Sequence, residues 1–358
     1  MLRFANPGSD IDKFVRTFGY IAREAGAKEY DLDFMVDVAG KGALVSSVGA
    51  VGSEAVRRSR RPDRSRDPMY NQLKMYSEIW RMLGWIHVGT KRLLFTTTPI
   101  GRLISETEPP LHPEDKALLQ ELFLGITFPN HHTENKGIDN LRPFKQLLLL
   151  MEGLDGRISR DEMIISLYTM ADDLSAGAMS TAVKQVNAVR GYFTALTQTL
   201  ENTCASDGVQ VNTARNYTRI PIGVLTDPNI GWAAEASEKS TYGRTVKFFE
   251  LTAHGMSVVE RLKKMQDVRW QHIAPFKAQE RSAFINLAHY AMLERAGFGS
   301  VPGQLEFVVY AEGVAARVFE SLGIESRLNV LFSPYQQAPT SELVMADSFE
   351  AEWHAATH

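Results

Sequence analysis

The residues with the most chemistry to offer lie in one short block. Arg57, Arg58, Arg60, Arg61, Arg64 and Arg66 fall within ten positions, where only Asp63 opposes them. Such density suits contact with a phosphate backbone, and it also suits a solvated loop. Ser53 precedes the block, and Asn71, Gln72 and Lys74 follow it. Asn and Gln side chains pair bidentately with adenine edges, and Lys with guanine. A second group of the same kind, Lys184, Gln185, Asn187 and Arg190, stands mid-chain, followed by Asn212, Arg215 and Asn216. Singly, each is an ordinary surface residue. As groups they suggest base readout flanked by phosphate contacts.

Two other constellations carry less. His131 and His132, with Asn135 and Asn140, have only a faint likeness to the loop of an HNH nuclease, because the helix after them supplies no distal histidine. Surface histidines are the simpler reading. Gly40, Gly42, Gly49 and Gly52 could let backbone approach an anion, but no GxxxxGK[ST] is present, so a flexible turn is the simpler account.

The elements around these residues follow from periodicity. Leu73, Tyr76, Ile79, Trp80 and Leu83 recur at helical spacing and stop at Gly84. Residues 85–88 and 92–96 flank a Gly-Thr-Lys turn and predict a hairpin. Thr98-Pro99 then opens a short helix. Asp10 to Ala25 is amphipathic, and 30–38 predicts a second helix. Helix, helix, hairpin is the order of a winged helix. Glu108-Pro-Pro110 and His112-Pro113 mark a boundary. Beyond it, 114–124 and the nearly solid apolar run 141–152 predict helices. Ser159-Arg-Asp-Glu162 has the form of a capping box. A helix is expected over 178–200, a polar loop over 212–219, a strand over 245–252 and a helix over 253–262. Residues 141–265 thus look like a second copy of the plan.

Composition bounds the reading. With 358 residues, 44% hydrophobic and 23% charged, the chain can hold two or three globular domains. A net charge of −3 confines any nucleic-acid binding to local basic patches. The lone Cys204 excludes an internal disulfide and suits a reducing compartment. No leader-like start and no apolar run of about 18 residues is found, so a cytoplasmic protein without a membrane segment is expected.

The sequence resembles the DNA-recognition portion of FokI-type and AlwI-type type IIS restriction endonucleases. The likeness rests on Asn6-Pro-Gly8, Ser53-Glu-Ala55, the helix ending Leu83-Gly84, Arg142-Pro-Phe144 with Leu147–Leu150, Ser159–Glu162 and Phe249–Gly255, over residues 1–300. It implies winged-helix subdomains reading a short asymmetric site, with Asn6 and the start of the Asn71 helix near bases. Residues 305–322 resemble the first helix of an AlwI-type nuclease domain, and 338–347 the lead-in to its catalytic aspartate. Glu306 and Asp347 would then be catalytic and metal-binding, with Mg²⁺ as cofactor. No lysine follows Lys277, so the acid–x–lysine strand that such a site needs is missing.

The expected fold is mainly α with short β-hairpins (α+β), built as tandem winged-helix subdomains. The first spans 1–108 and the second 109–265, with an insertion near 202–240. A helical linker or third subdomain covers 266–300, and a partial nuclease-like tail 301–358. The expected function is sequence-specific recognition of double-stranded DNA in a restriction or phage-defence system. Recognition itself needs no cofactor. Cleavage would be supplied by a partner, a missing domain or an unread site, and the expected partners besides double-stranded DNA are a nuclease subunit or a methyltransferase-linked system. The rival is a tandem winged-helix transcriptional regulator, which would show an effector pocket or a dimer helix.

Overall fold

A computed structural model describes residues 1–5, 10–89, 93–130, 135, 137–239, 245–300 and 303–357. Asn6, His131 and His132 lie outside the described residues. The chain is mainly helical, with four small sheets among the described residues.

Ile11–Ala25 opens the first unit. Asp10 caps it by accepting from Lys13 N, and Ile11, Phe14, Val15, Phe18 and Ile21 form its buried stripe. Tyr30 then makes a one-residue antiparallel bridge to Phe95. Leu32–Lys41 follows, capped by Asp31, then a two-residue ribbon, the helix Gly52–Ser59, and Pro68–Met82. The strands Ile86–Val88 and Phe95–Thr97 pair antiparallel, and Pro99–Ser105 ends the unit. Phe14 and Phe18 pack against Trp80 and Trp85, with ring centroids 4.9–5.7 Å apart. Burying four such rings is the largest local contribution to this core.

The second unit runs Pro143–Gly153, strand Arg157–Ile158, Arg160–Ile165, four further helices, and the hairpin Ala233–Lys239 with Thr245–Leu251. The helix Ala253–Lys264 follows. The two units pair in the same order: an early segment, the single residue Tyr30 in the first and the strand Arg157–Ile158 in the second, pairs with the last strand, and the last with the middle one. They also share a corner. Gly84-Trp85 and Gly231-Trp232 each precede the hairpin, both glycines with positive φ and both tryptophans fully buried. Thr98 and Thr252 each cap the helix after it, their Oγ1 donating to the carbonyls of that Gly-Trp pair and accepting from Gly101 N or Gly255 N. A Cβ on Gly101 or Gly255 would collide with the carbonyl of Trp85 or Trp232. Only glycine allows the helix to approach the strand so closely.

Two expectations are corrected. The helix expected over 178–200 is two, Ala178–Asn187 and Phe193–Ser206, broken at Gly191 with φ 84°. The polar stretch 212–219 is helical, as Val211–Tyr217 and Arg219–Thr226, because Ala214, Ile220, Val224 and Leu225 bury one side. The 202–240 stretch therefore holds the helices before the hairpin and its first strand.

Ala278–Arg295 packs on both Gln304–Leu322 and Thr340–Thr357, so the expected boundary at 300 lies between packed neighbours. Parallel pairing of Gln266–Asp267 with Val330–Leu331 ties this layer to the second unit. Beneath that pairing lies Arg142, fully buried. It donates to the Gly125, Val268 and Leu331 carbonyls and pairs with Asp267, which also binds Lys145 and Arg269. A buried guanidinium needs this full set of acceptors, since desolvation without them is very costly.

Candidate nucleic-acid interface

The arginine block is less free than its sequence suggests. Glu54, one turn earlier on the same helix, receives Arg57 at 2.7 Å and Arg58 at 2.7 Å. Those two bonds hold its carboxyl down at about 2. Arg64 pairs with Asp33 and with Asp67, the latter at 2.7 Å, and its guanidinium lies over the Tyr70 ring. Arg66 sits 3.4 Å from Asp63. Arg61 donates to the Arg58 and Arg60 carbonyls, and Arg60 makes no ion pair among the described residues. Thus four acids, not Asp63 alone, face the block. Exposed pairs are weak in water, and the arginines stay at the surface, Arg57 at 75% and Arg66 at 83% side-chain exposure.

The helix after the block is mostly core. Met69, Leu73, Tyr76, Ile79 and Trp80 of Pro68–Met82 are buried. Lys74 is exposed, Gln72 half-buried, and Asn71 donates to the Ser65 carbonyl at 2.7 Å. Gly52–Ser59 turns more outward, with Ser53, Arg57 and Arg58 exposed. Arg57, Arg58, Arg60, Arg61 and Arg66 are exposed together on Gly52–Ser59 and the turn after it, whereas exposed cations such as Arg16, Lys28, Lys41 and Lys74 stand singly in sequence.

In the second unit the expected readers divide. Lys184 and Asn187 are exposed and Gln185 half-buried on Ala178–Asn187. Arg190 lies past the end of that helix and turns inward. It donates to Glu162 at 2.8 Å and to the Leu154 and Arg157 carbonyls at 2.8 Å, leaving it 18% exposed. It supports the Ser159–Glu162 capping box, which forms as expected. Arg215 forks onto Asp161 at 2.7 and 2.8 Å. Asn212 and Asn216, one turn apart on Val211–Tyr217, and Arg219, at the start of Arg219–Thr226, are exposed on the two helices directly before the hairpin. Arg219 closes the polar, basic stretch that the sequence offers as a loop reaching bases or phosphate, and it opens a helix instead.

Between those helices and the hairpin opens a cleft of about 830 Å³. Leu196, Ile222, Phe248 and Phe249 form its floor, Tyr192 and Phe193 part of its rim, and charged side chains the remainder. No motif announces it, because its walls come from segments spread from Arg157 to Phe249.

Glu306 is exposed in the first turn of Gln304–Leu322, and Asp347 is mid-helix in Thr340–Thr357 rather than beside a strand. Burial and the Glu350 charge raise the Asp347 carboxyl. Among the described residues no three His, Cys, Asp or Glu side chains gather as a metal site. No helix among the described residues is long and apolar enough to cross a membrane. No protein-family model matches the sequence, and no curated protein matches it significantly.

Proposed function

We propose that this chain binds double-stranded DNA sequence-specifically through two tandem winged-helix units. Its role would be that of the recognition portion of a type IIS restriction endonuclease in a cellular defence system. The repeated architecture carries this reading: two units share one order of backbone pairing, a single bridge at Tyr30 standing in the first for the early strand of the second, and one Gly-Trp/Thr-x-x-Gly corner. A winged helix has that order of helices and hairpin, and it contacts phosphate and base edges with the helix before the hairpin and with the hairpin itself. The exposed arginines at 57–66 and the exposed Asn212, Asn216 and Arg219 supply the matching side chains. Strand cleavage would be the work of a partner. The 830 Å³ cleft favours a second reading, a tandem winged-helix regulator with an effector pocket. Selection of bound sites from random duplexes tests both. An asymmetric site supports the first and a palindrome the second, while no retention of duplex at low salt overturns both.

A further inference from the structure

The cleft of the second unit has a chemistry of its own. Its floor is apolar, made by Leu196, Ile222, Phe248 and Phe249. Of the charged side chains that line it, eight are paired with one another: Arg157 with Glu238, Arg190 with Glu162, Arg215 with Asp161, and Lys247 with Glu235. Two cations, Arg160 and Lys239, make no ion pair among the described residues. The cleft therefore holds an excess of positive charge that its own acids do not absorb. At the rim stands Tyr192, 70% exposed, its hydroxyl without a hydrogen bond among the described residues. A tyrosine so open loses the benefit of burial, and a flat partner would restore it.

We propose that this cleft binds a nucleotide, its base against Tyr192 and the apolar floor, its phosphate at Arg160 and Lys239. A purely apolar ligand would leave both cations unused. A simple anion would leave the floor wet. A planar ring carrying an anion uses both, and the volume suits a ligand of that size. The source is either a free mononucleotide or an unpaired nucleotide in DNA; the second source rests on the DNA-binding reading and the first does not.

AMP is titrated into the full chain by calorimetry. In parallel, a duplex with one unpaired adenosine is compared with the matched duplex by fluorescence anisotropy. Saturable AMP binding, with adenosine weaker, supports the free source; preference for the bulged duplex supports the DNA source. In either arm Tyr192→Ala weakens binding about tenfold, roughly 1.4 kcal/mol, and Tyr192→Phe keeps it. Lys239→Gln lowers AMP affinity while sparing adenosine. The exposed position of Tyr192 keeps these variants folded, which circular dichroism checks. Absence of AMP binding together with no bulge preference overturns the proposal, as does binding indifferent to Tyr192→Ala. If AMP binds but no duplex does, the DNA-binding reading fails and the cleft stands. If the matched duplex binds while both cleft arms fail, the reverse holds.

Discussion

Glu54 restrains two of the six arginines of the 57–66 block, and it does so at the surface, where solvent makes the pairing cheap to break. A phosphate could compete for Arg57 and Arg58 only by displacing that carboxylate. Glu54→Gln should therefore raise affinity for any duplex and steepen its dependence on salt. Each added phosphate contact contributes about 0.9 to the slope. An unchanged slope in a filter-binding titration would count against this interface. Arg190 makes the opposite case. Sequence reasoning reads it as a groove residue because arginine at a helix surface looks alike wherever its partner lies. Its partner, Glu162, is distant in sequence and 2% exposed. Arg190→Ala leaves that carboxylate buried without its cation and should cost about 2–4 kcal/mol, read as a lower Tm. Gln185→Ala, outside any such network, should leave Tm unchanged. Equal melting of both variants would remove Arg190 from its structural role.

Elements differ in how plainly the sequence declares them. The first hairpin is legible because β-rich residues flank a turn, and Thr98-Pro99 caps the next helix. The strand Ala233–Lys239 is not, since Ala-Ala-Glu-Ala-Ser-Glu-Lys has little strand preference. Seven residue pairs with Thr245–Leu251 hold it instead. The helices at 211–226 hide behind polar residues that cap loops as readily as they face solvent. Their buried Ala214, Ile220, Val224 and Leu225 are the signal that could have revealed them. The candidate interface inherits this unevenness: the arginine block is visible as a run, whereas the cleft exists only once these elements fold together. The repeated corner gives an element-scale test. Gly255→Ala puts a methyl group against the Trp232 carbonyl, and Gly101→Ala does the same at Trp85. Overpacking typically costs about 1–3 kcal/mol, and at this corner backbone must move. Thr252→Ala removes only the cap and should cost about 1 kcal/mol. Urea melts that rank Thr252→Ala above Gly255→Ala in damage would contradict the close approach.

The helical tail is seated on the first unit, and its seam should weaken in acid. His87 is buried and its Nε2 lies 2.7 Å from the Tyr335 carbonyl. His289 stacks edge-on against the Tyr335 ring at 5.3 Å, with its Nδ1 buried and unpartnered. Burial pushes both imidazoles down to about 4, against an ordinary value of 6.5. Above pH 6.5 both states are neutral and the stability is whole. As pH falls from 6.5 towards 4 the unfolded chain takes up protons first, so stability is lost, by about 2 kcal/mol per histidine at pH 5. His289→Phe keeps the ring contact and should shrink the drop in Tm between pH 7 and pH 5; an undiminished drop would locate the acid sensitivity elsewhere. The same tail carries the last expectation. Phosphodiester hydrolysis with Mg²⁺ needs acidic groups converging on the metal and a means to activate water. Glu306 opens one helix and Asp347 sits inside another, and no lysine follows Lys277. With Mg²⁺ present, the purified chain is expected to retain plasmid DNA without cutting it, and Asp347→Ala to bind as the parent does. Site-specific double-strand cleavage abolished by Asp347→Ala would mean that other side chains complete a centre around that carboxylate.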